Sequence, residues 1–451
     1  MQLTFLGATQ TVTGSKYLLD IGTRRILIDC GLFQGQKELR LRNWESLPID
    51  PASINTVILT HAHIDHSGYL PLLVKNGFTC SVYTTQGTKD LCSILLPDSG
   101  YLQEEEACFA NRHGYSTHKP ALPLYTEAEA EVSLAQFIGM NFYQKQSLST
   151  DCHFQFIPAG HIIGSAFVYL KFQETSLLFS GDVGRFNDPI MRAPTNITGA
   201  DYLVLESTYG NRLHSKESPE AQLKDIIIKT AKRGGMLLIP AFAVGRAQSL
   251  LYYIYRLKQK GEIPNLPVFV DSPLAIDATQ IFYQHSAEHR LNLQEANAMC
   301  QAAHYIRSQE ESKKLDCLAM PSIIISASGM AAGGRVLYHL KMLAPDSRNT
   351  ILFAGYQAAG TRGADIVNGK QEIKIHGEMI PIRAHVESLT NISAHADYEE
   401  ILAWLKDFKK PPRKVFITHG EPEAAQALKE KIENQWGWTC VIPSYLQEES
   451  L

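Results

Sequence analysis

No two of the eight cysteines form a CxxC pair; they are scattered from Cys30 to Cys440, several inside apolar runs. That leaves no thiolate clamp for a structural zinc and no disulfide framework, so they are expected to be reduced, small and buried. Long apolar runs are missing as well. Nothing approaches the roughly 18 residues a membrane span requires, and no membrane partner is expected. The opening MQLTFLGATQTV lacks a basic stretch followed by an apolar one, so it is expected to be the first strand of a cytoplasmic protein rather than a leader. Positive charge is not in excess either: the formal net charge of -4 argues against the broad basic face many nucleic-acid binders carry, while leaving room for a charged cleft. Three short basic clusters, KELRLR (37–42), RLKQK (256–260) and KKPPRK (409–414), are expected to be solvated surface. Tandem repeats and low-complexity segments are absent.

What is present is length and a change of pattern. At 451 residues the chain exceeds what one hydrophobic core usually supports, so it holds two domains or one domain with a large insertion. The first 200 residues carry short β-rich segments such as QLTFLGA, RRILIDCG, TVILT, FQFIPAG, SLLFSGD and DYLVLES, suited to a β-sandwich with helices outside. Residues from about 85 to 145, including TEAEAEVSLAQFIGM, have helical spacing and are expected to cover the sheets. After residue 208 strands alternate with helical stretches, the βαβ pattern of a parallel sheet. From about 391 a tail supplies helix, strand, helix and strand.

The densest chemistry is in ILTHAHIDHSGYL (58–70), where His61, His63, Asp65 and His66 form H-x-H-x-D-H. TVILT reads as a strand, so His61 and His63 at its end point to one side, with Asp65 and His66 in the following turn. A lone histidine is ordinarily a satisfied hydrogen-bonder; four ligand-type residues at one strand end point to a metal. The donors are imidazole nitrogen and carboxylate oxygen without thiolate, which suits Zn²⁺, Mn²⁺ or Fe. Since one catalytic ion takes about three protein ligands, the surplus points to two ions. Other strand ends present His161, Asp182, Glu206, His395 with Asp397, and His419, each weak alone and together a ring of ligands around one sheet edge. His113, His118, His214, His285 and His339 show no such context and read as ordinary.

These motifs resemble the metallo-β-lactamase superfamily, and within it the β-CASP branch of nucleases. Asp29 in ILIDCG matches the first superfamily motif, THAHIDHSG the second, His161 the third and Asp182 the fourth; Glu206, His395 and His419 match the three branch motifs. The resemblance covers nearly the whole chain. It implies an α/β fold: an αββα core at residues 1–204 and 391–451, interrupted by an α/β β-CASP cap at 205–390. By that resemblance His61, His63 and His161 hold one metal, Asp65, His66 and His419 the second, Asp182 bridges both, and Asp29 orients the ligands from behind. The expected cofactor is two divalent ions, Zn²⁺ first and Mn²⁺ as the alternative.

The histidine at 419, where DNA-directed Artemis-type members have valine, tilts the expected substrate toward single-stranded RNA. The chain ends about 30 residues after His419, without the C-terminal extension of RNase J or a KH-type domain, and so resembles the compact bacterial β-CASP ribonucleases and the catalytic core of the eukaryotic cleavage and polyadenylation endonuclease. An endonuclease of RNA processing or decay is expected, and a homodimer is left open. The catalytic set is expected to be Asp65, Asp182, Glu206 and His395, with His395 as the proton donor to the leaving oxygen and Glu206 keeping it charged. In the cap, SASGMAAGGR (326–335) offers Ser328, Gly329 and Arg335 to phosphates, joined by Arg246, Arg362 and by Ser393 beside His395. Two other readings remain: a glyoxalase II-like thioesterase sharing the same core, against which the 180-odd residue insertion and SAHAD speak, and a silent RNA-binding scaffold, which would have lost ligands.

Overall fold

A computed structural model describes residues 1–114, 116, 118–355, 357–358 and 360–451. The chain divides into two units, residues 1–213 with 395–451, and residues 214–394. The expected switch points at 204/205 and 390/391 fall slightly ahead of these.

The first unit is built on two seven-stranded mixed sheets. One runs in the order Glu448–Ser450, Gln2–Phe5, Tyr17–Asp20, Arg25–Ile28, Thr56–Ile58, Ser81–Thr85, Phe137–Met140. The other runs Cys440–Val441, Lys414–Thr418, Tyr202–Glu206, Thr175–Phe179, Ala166–Phe172, Cys152–Pro158, Gln146–Ser147. The central core lies between them: Leu3, Phe5 and Ile28 of the first sheet share one cluster with Phe154, Phe156, Phe179 and Phe416 of the second. Trp404, Leu405, Leu428 and Ile432, from helices Tyr398–Leu405 and Pro422–Trp436, cover the second sheet's outer face together with Phe167 and Leu205. Tyr202–Glu206 is buried at all five residues because both its faces are covered, which is why its first four read as an unbroken apolar run. The architecture is the expected αββα sandwich.

One element departs from the sequence reading. The helical spacing of TEAEAEVSLAQFIGM ends at Ser133; Phe137–Met140 is a strand pairing in parallel with Ser81–Thr85. The helix starts on a Thr126 capping box, but its apolar tail reaches a free sheet edge, and sheet pairing outweighs helix propensity there. Among the described residues no helix is long and apolar enough to cross a membrane. Four of the eight cysteines are buried as expected, whereas Cys108 and Cys317 are exposed and Cys80 and Cys300 are half-buried; all are free thiols.

The second unit carries a six-stranded parallel sheet in the order His304–Tyr305, Val268–Val270, Ile323–Ser326, Leu237–Pro240, Thr350–Ala354, His385–Leu389. Helices such as Pro219–Lys232, Arg246–Gln259 and Val336–Leu343 alternate with its strands. A hairpin, Glu372–Ile375 with Glu378–Pro381, adds Ile373, Ile375 and Ile380 to the core under Leu340 and Phe353.

Candidate metal centre

Every metal-ligand candidate lies in the first unit, just beyond the C-terminal end of a strand. His61 and His63 follow Thr56–Ile58, His161 follows Cys152–Pro158, Asp182 follows Thr175–Phe179, His419 follows Lys414–Thr418, and Glu206 closes Tyr202–Glu206. Two local details differ from the sequence reading. The strand before the motif stops at Ile58, so the two histidines sit in the connecting loop, and Asp65 and His66 belong to a helical turn, Ile64–Ser67. His61 and His63 group with His161 and Asp182, and Asp65 and His66 with His419, so one short motif serves two adjoining clusters.

Two sets of donors converge. In the first, His61 Nε2 is 3.1 Å from His63 Nδ1, which is 3.2 Å from His161 Nε2, and Asp182 Oδ2 lies 3.4 and 3.5 Å from His61 Nε2 and His161 Nε2. In the second, His66 Nε2 is 3.1 Å from His419 Nε2, His419 Nε2 is 3.3 Å from Asp65 Oδ2, and Asp182 Oδ1 is 3.2 Å from His66 Nε2. A tetrahedral ion with ligands at about 2.0–2.1 Å holds its donors about 3.3–3.4 Å apart, so the spacing of these donors suits an ion's coordination shell. Asp182 turns one oxygen to each set. Its Oδ1 is buried without a directed hydrogen bond among the described residues, an expensive state that a cation relieves.

The electrostatics agree. Burial, reinforced by the neighbouring imidazoles, pushes His61 down to about 3 and His161 well below its ordinary value; burial also lowers His63, to about 4. All three are therefore neutral with lone pairs available, the form a metal binds. Burial would raise the Asp182 carboxyl, but the imidazoles around it, His419 first, hold it well below the usual carboxylate range. Burial would lower His66, yet Asp182 and Asp29 raise it well above its ordinary value, so an ion would have to displace a proton there.

Behind the ligands the backbone is tightly specified. Asp29, at φ +58°, accepts from Thr60 N at 2.7 Å and Thr60 Oγ1 at 2.9 Å, and its Oδ2 is 2.8 Å from His66 Nδ1. This carboxylate–imidazole pair turns His66 Nε2 toward the cluster. His419, at φ +48°, has its Nδ1 3.0 Å from Thr208 Oγ1. Gly31 has no alternative: a Cβ there would lie 1.6 Å from the Asp65 carbonyl oxygen.

The remaining catalytic candidates adjoin this cluster. His395 Nδ1 lies 3.3 and 3.2 Å from the two Glu206 oxygens, and its ring centroid is 4.5 Å from that of His161. Glu206 Oε1 also accepts from Val183 N at 2.5 Å, next to Asp182, which fixes the carboxylate. Burial would lower the His395 pKa; Glu206, then Asp182, raise it to about 9. Asp397, read as another strand-end acid, instead caps helix Tyr398–Leu405 in a capping box with Glu400.

The phosphate candidates Ser328, Gly329, Arg335, Arg246, Arg362 and Ser393 belong to the second unit. Ser328 Oγ accepts from Ala332 N, and Gly329 is pressed against the Phe242 backbone. Arg335 is committed inside the unit: Nη1 donates to Asp271 Oδ1 at 2.6 Å and to Ile306 O at 3.1 Å. Arg362 is likewise spent on the Lys374, Ala331 and Ala332 carbonyls, so both arginines shape the glycine-rich loop rather than present open forks to a phosphate. Arg246 passes over Gly355, and Ser393 is buried; Tyr356 and Ala359, shortly before Arg362, lie outside the described residues. The sequence reading missed one cluster here. His339, classed as ordinary, is fully buried with Nε2 2.7 Å from Asp271 Oδ2 and Nδ1 2.6 Å from Asp316 Oδ1. Its only sequence signal is an apolar helix, VLYHLKML, that places a histidine on the core side.

Comparison with known proteins places this geometry. The chain matches the metallo-β-lactamase superfamily over residues 11–88, the β-CASP domain over 247–366, and the RNA specificity domain of Zn-dependent metallo-hydrolases over 379–443. It is 35% identical to Ribonuclease TTHA0252 of Thermus thermophilus, covering 95% of each chain. It is 31% identical to an RNase J-like protein of Methanocaldococcus jannaschii over 93% of this chain and 92% of the relative. Transcription termination factor FttA of Methanosarcina mazei is 31% identical over 96% of this chain and 69% of its own. A solved protein of unknown function from Enterococcus faecalis V583 shares the fold over 100% of this chain and 99% of its own, at TM-score 0.54 and 14% identity.

Proposed function

We propose, for a chain that belongs to the metallo-β-lactamase superfamily and within it to the β-CASP ribonuclease branch, that it cuts single-stranded RNA internally with two zinc ions. It is a metal-dependent ribonuclease by that kinship; the number and identity of the ions, the internal cut and the roles below are our reading. His61, His63 and His161 would hold one ion and Asp65, His66 and His419 the other, with one Asp182 oxygen toward each. When bound, such ions supply Lewis acidity that activates water and neutralises phosphate charge.

The protein's own residues do the rest. Asp29 and Thr208 orient His66 and His419 so that donor nitrogens meet at fixed spacing. His395 performs the proton transfer. Breaking the P–O3′ bond leaves an oxyanion that needs a proton, and Nε2 of His395 can deliver it while Nδ1 is held by Glu206. The pairing of buried Glu206 with half-buried His395 beside the donor cluster is the observation that carries this reading, since a metal store or silent scaffold has no use for a charged imidazole held there. Nearby cations would draw the His395 pKa back from about 9 toward neutrality, where a general acid works best.

The test is metal analysis followed by incubation with RNA bearing a 5′-monophosphate or a 5′-hydroxyl, with chelator and Asp182→Ala controls. Internal fragments from both RNAs are expected. Release of mononucleotides only from 5′-monophosphate RNA would make the protein an exonuclease instead, and absence of metal and of cleavage would return the scaffold reading.

A further inference from the structure

Helix Lys37–Arg42 of the first unit has no buried residue, so core packing does not explain it. Such a short helix is unstable alone, and here it is pinned from its ends. The buried Asn43 amide accepts from Phe33 N at 2.9 Å and donates to Phe33 O at 2.8 Å. Arg42 lies over Tyr445 at 4.6 Å and Phe33 at 5.7 Å, and Lys16 packs on the other side between Phe33 and Tyr69, at 4.5 and 4.7 Å.

What this scaffold displays is a stripe. Lys37, Arg40, Leu41 and Trp44 follow the i, i+3, i+4, i+7 spacing of one helix face, and the chain beyond Arg42 keeps helical backbone at Asn43 with Trp44 N bonded to Leu41 O. Lys37 and Arg40 are exposed, Leu41 is 46% exposed and Trp44 58% exposed. None of the four side chains makes a hydrogen bond or ion pair among the described residues, and Glu38 falls off the stripe by helical spacing. An open indole in line with two cations is the combination of stacking face and backbone charge that single strands use.

The stripe is joined to the metal centre by a short backbone path. His419 N donates to Ala8 O at 2.8 Å, Ala8 N to Thr13 O at 3.2 Å, and Gln34 N to Thr13 Oγ1 at 3.2 Å, three residues before the helix. On the other side Leu32 N donates to Ile64 O at 2.9 Å and Cys30 N to His66 O at 2.7 Å. The loop that backs Asp65 and His66 is thus the one that emerges as this helix.

We propose that the Lys37–Arg40–Leu41–Trp44 stripe is a binding track for the single-stranded RNA substrate outside the metal centre, with phosphates on the two cations and a base stacked on Trp44. The inference rests on the ribonuclease reading. Stacking plus backbone cations is how single strands are held without sequence preference, and the track would grip RNA extending past the scissile bond.

The experiment compares wild type with the Lys37→Glu/Arg40→Glu double variant, Trp44→Ala and Trp44→Phe on a 20-nucleotide RNA and on bis(p-nitrophenyl) phosphate, a diester too small to reach the stripe. The double variant is expected to raise KM for the RNA at least tenfold with kcat unchanged. The slope of log affinity against log salt is expected to shrink by about 1.4 for two lost phosphate contacts. Trp44→Ala is expected to weaken RNA binding about 5- to 150-fold, the range for one stacked base, and Trp44→Phe to restore most of it. All variants should turn over the small diester at the wild-type rate, which also reports an intact fold. Unchanged RNA KM, or a change only in oligomeric state, would overturn the track and mark the stripe as a protein contact. Wild type that cuts the small diester but not RNA would instead sink the ribonuclease reading.

Discussion

Glu206→Gln tests the proton-transfer reading most sharply, because the structure predicts the shape of the response as well as its size. In the wild type both Glu206 oxygens lie within 3.3 Å of His395 Nδ1, and the carboxylate is buried, so it favours the imidazolium strongly. Glutamine keeps an oxygen for Val183 N but turns an amide NH₂ toward Nδ1. That donor favours a neutral ring with its proton on Nε2, a far weaker acid. Losing effective general acid catalysis costs about 10²–10⁴ in rate, and about 10² is expected near pH 7.5. The sign follows from the role: an acid must be protonated, so activity is lost as pH rises through its pKa. Glu206, then Asp182, raise His395 to about 9 before any ion binds and bound ions draw that back toward neutrality; removing the carboxylate lowers it further at the same metal loading. The alkaline limb should move toward acid in the variant, with the deficit largest near pH 8.5 and narrowing near pH 5.5. Single-turnover RNA cleavage from pH 5.5 to 9, with bound metal measured at each pH, reads this directly. A deficit below threefold, or one that is constant across pH at full metal content, would refute the reasoning.

Other perturbations separate parts of the site. His395→Ala should keep metal at wild-type stoichiometry while nearly abolishing cleavage, and full activity in that variant would remove His395 from the mechanism. Asp29→Ala removes the acceptor of Thr60 N and the carboxylate on His66 Nδ1; metal affinity should fall about 10- to 100-fold, measured by competition with a chromogenic chelator, and affinity within twofold of wild type would show the pair is dispensable. Gly31→Ala places a methyl into the Asp65 carbonyl and should abolish metal loading, with soluble, fully metallated protein as the contrary result. In the second unit, burial would lower His339, but Asp271 and Asp316 raise it to about 9. Its contribution of about 3 kcal/mol should be complete below pH 6.5 and lost as pH rises through 9. Urea midpoints of the wild type should therefore drop over that window more steeply than those of His339→Gln, and equal slopes would refute the contribution.

The convergence of the donors was legible because it is local chemistry at strand ends: a run such as VILTHAHIDH announces both the strand and the donors after it. The αββα layers were legible for the same reason, as short apolar strands between turn residues. What stayed hidden depends on partners far away in sequence. FIGM became a strand because Ser81–Thr85 offered it an edge, Asp397 was spent on a helix cap, and Arg335 was taken by Asp271, 64 positions earlier. His339 looked ordinary because its two carboxylates come from separate segments.

The first unit is interrupted by the second, and this fixes the order in which a ribosome can finish the active centre. His61, His63, His161 and Asp182 all precede the interruption, so one set of donors exists as soon as the early sandwich strands have emerged. His395 and His419 come after it. More than two hundred residues separate Asp182 from His419, roughly 10–50 s of translation at about 5–20 residues per second. A nascent chain can therefore hold one set of donors well before it has either the second set or His395. The second cluster is complete only when the closing strand, Lys414–Thr418, docks beside Tyr202–Glu206 and brings His419 to Asp65 and His66.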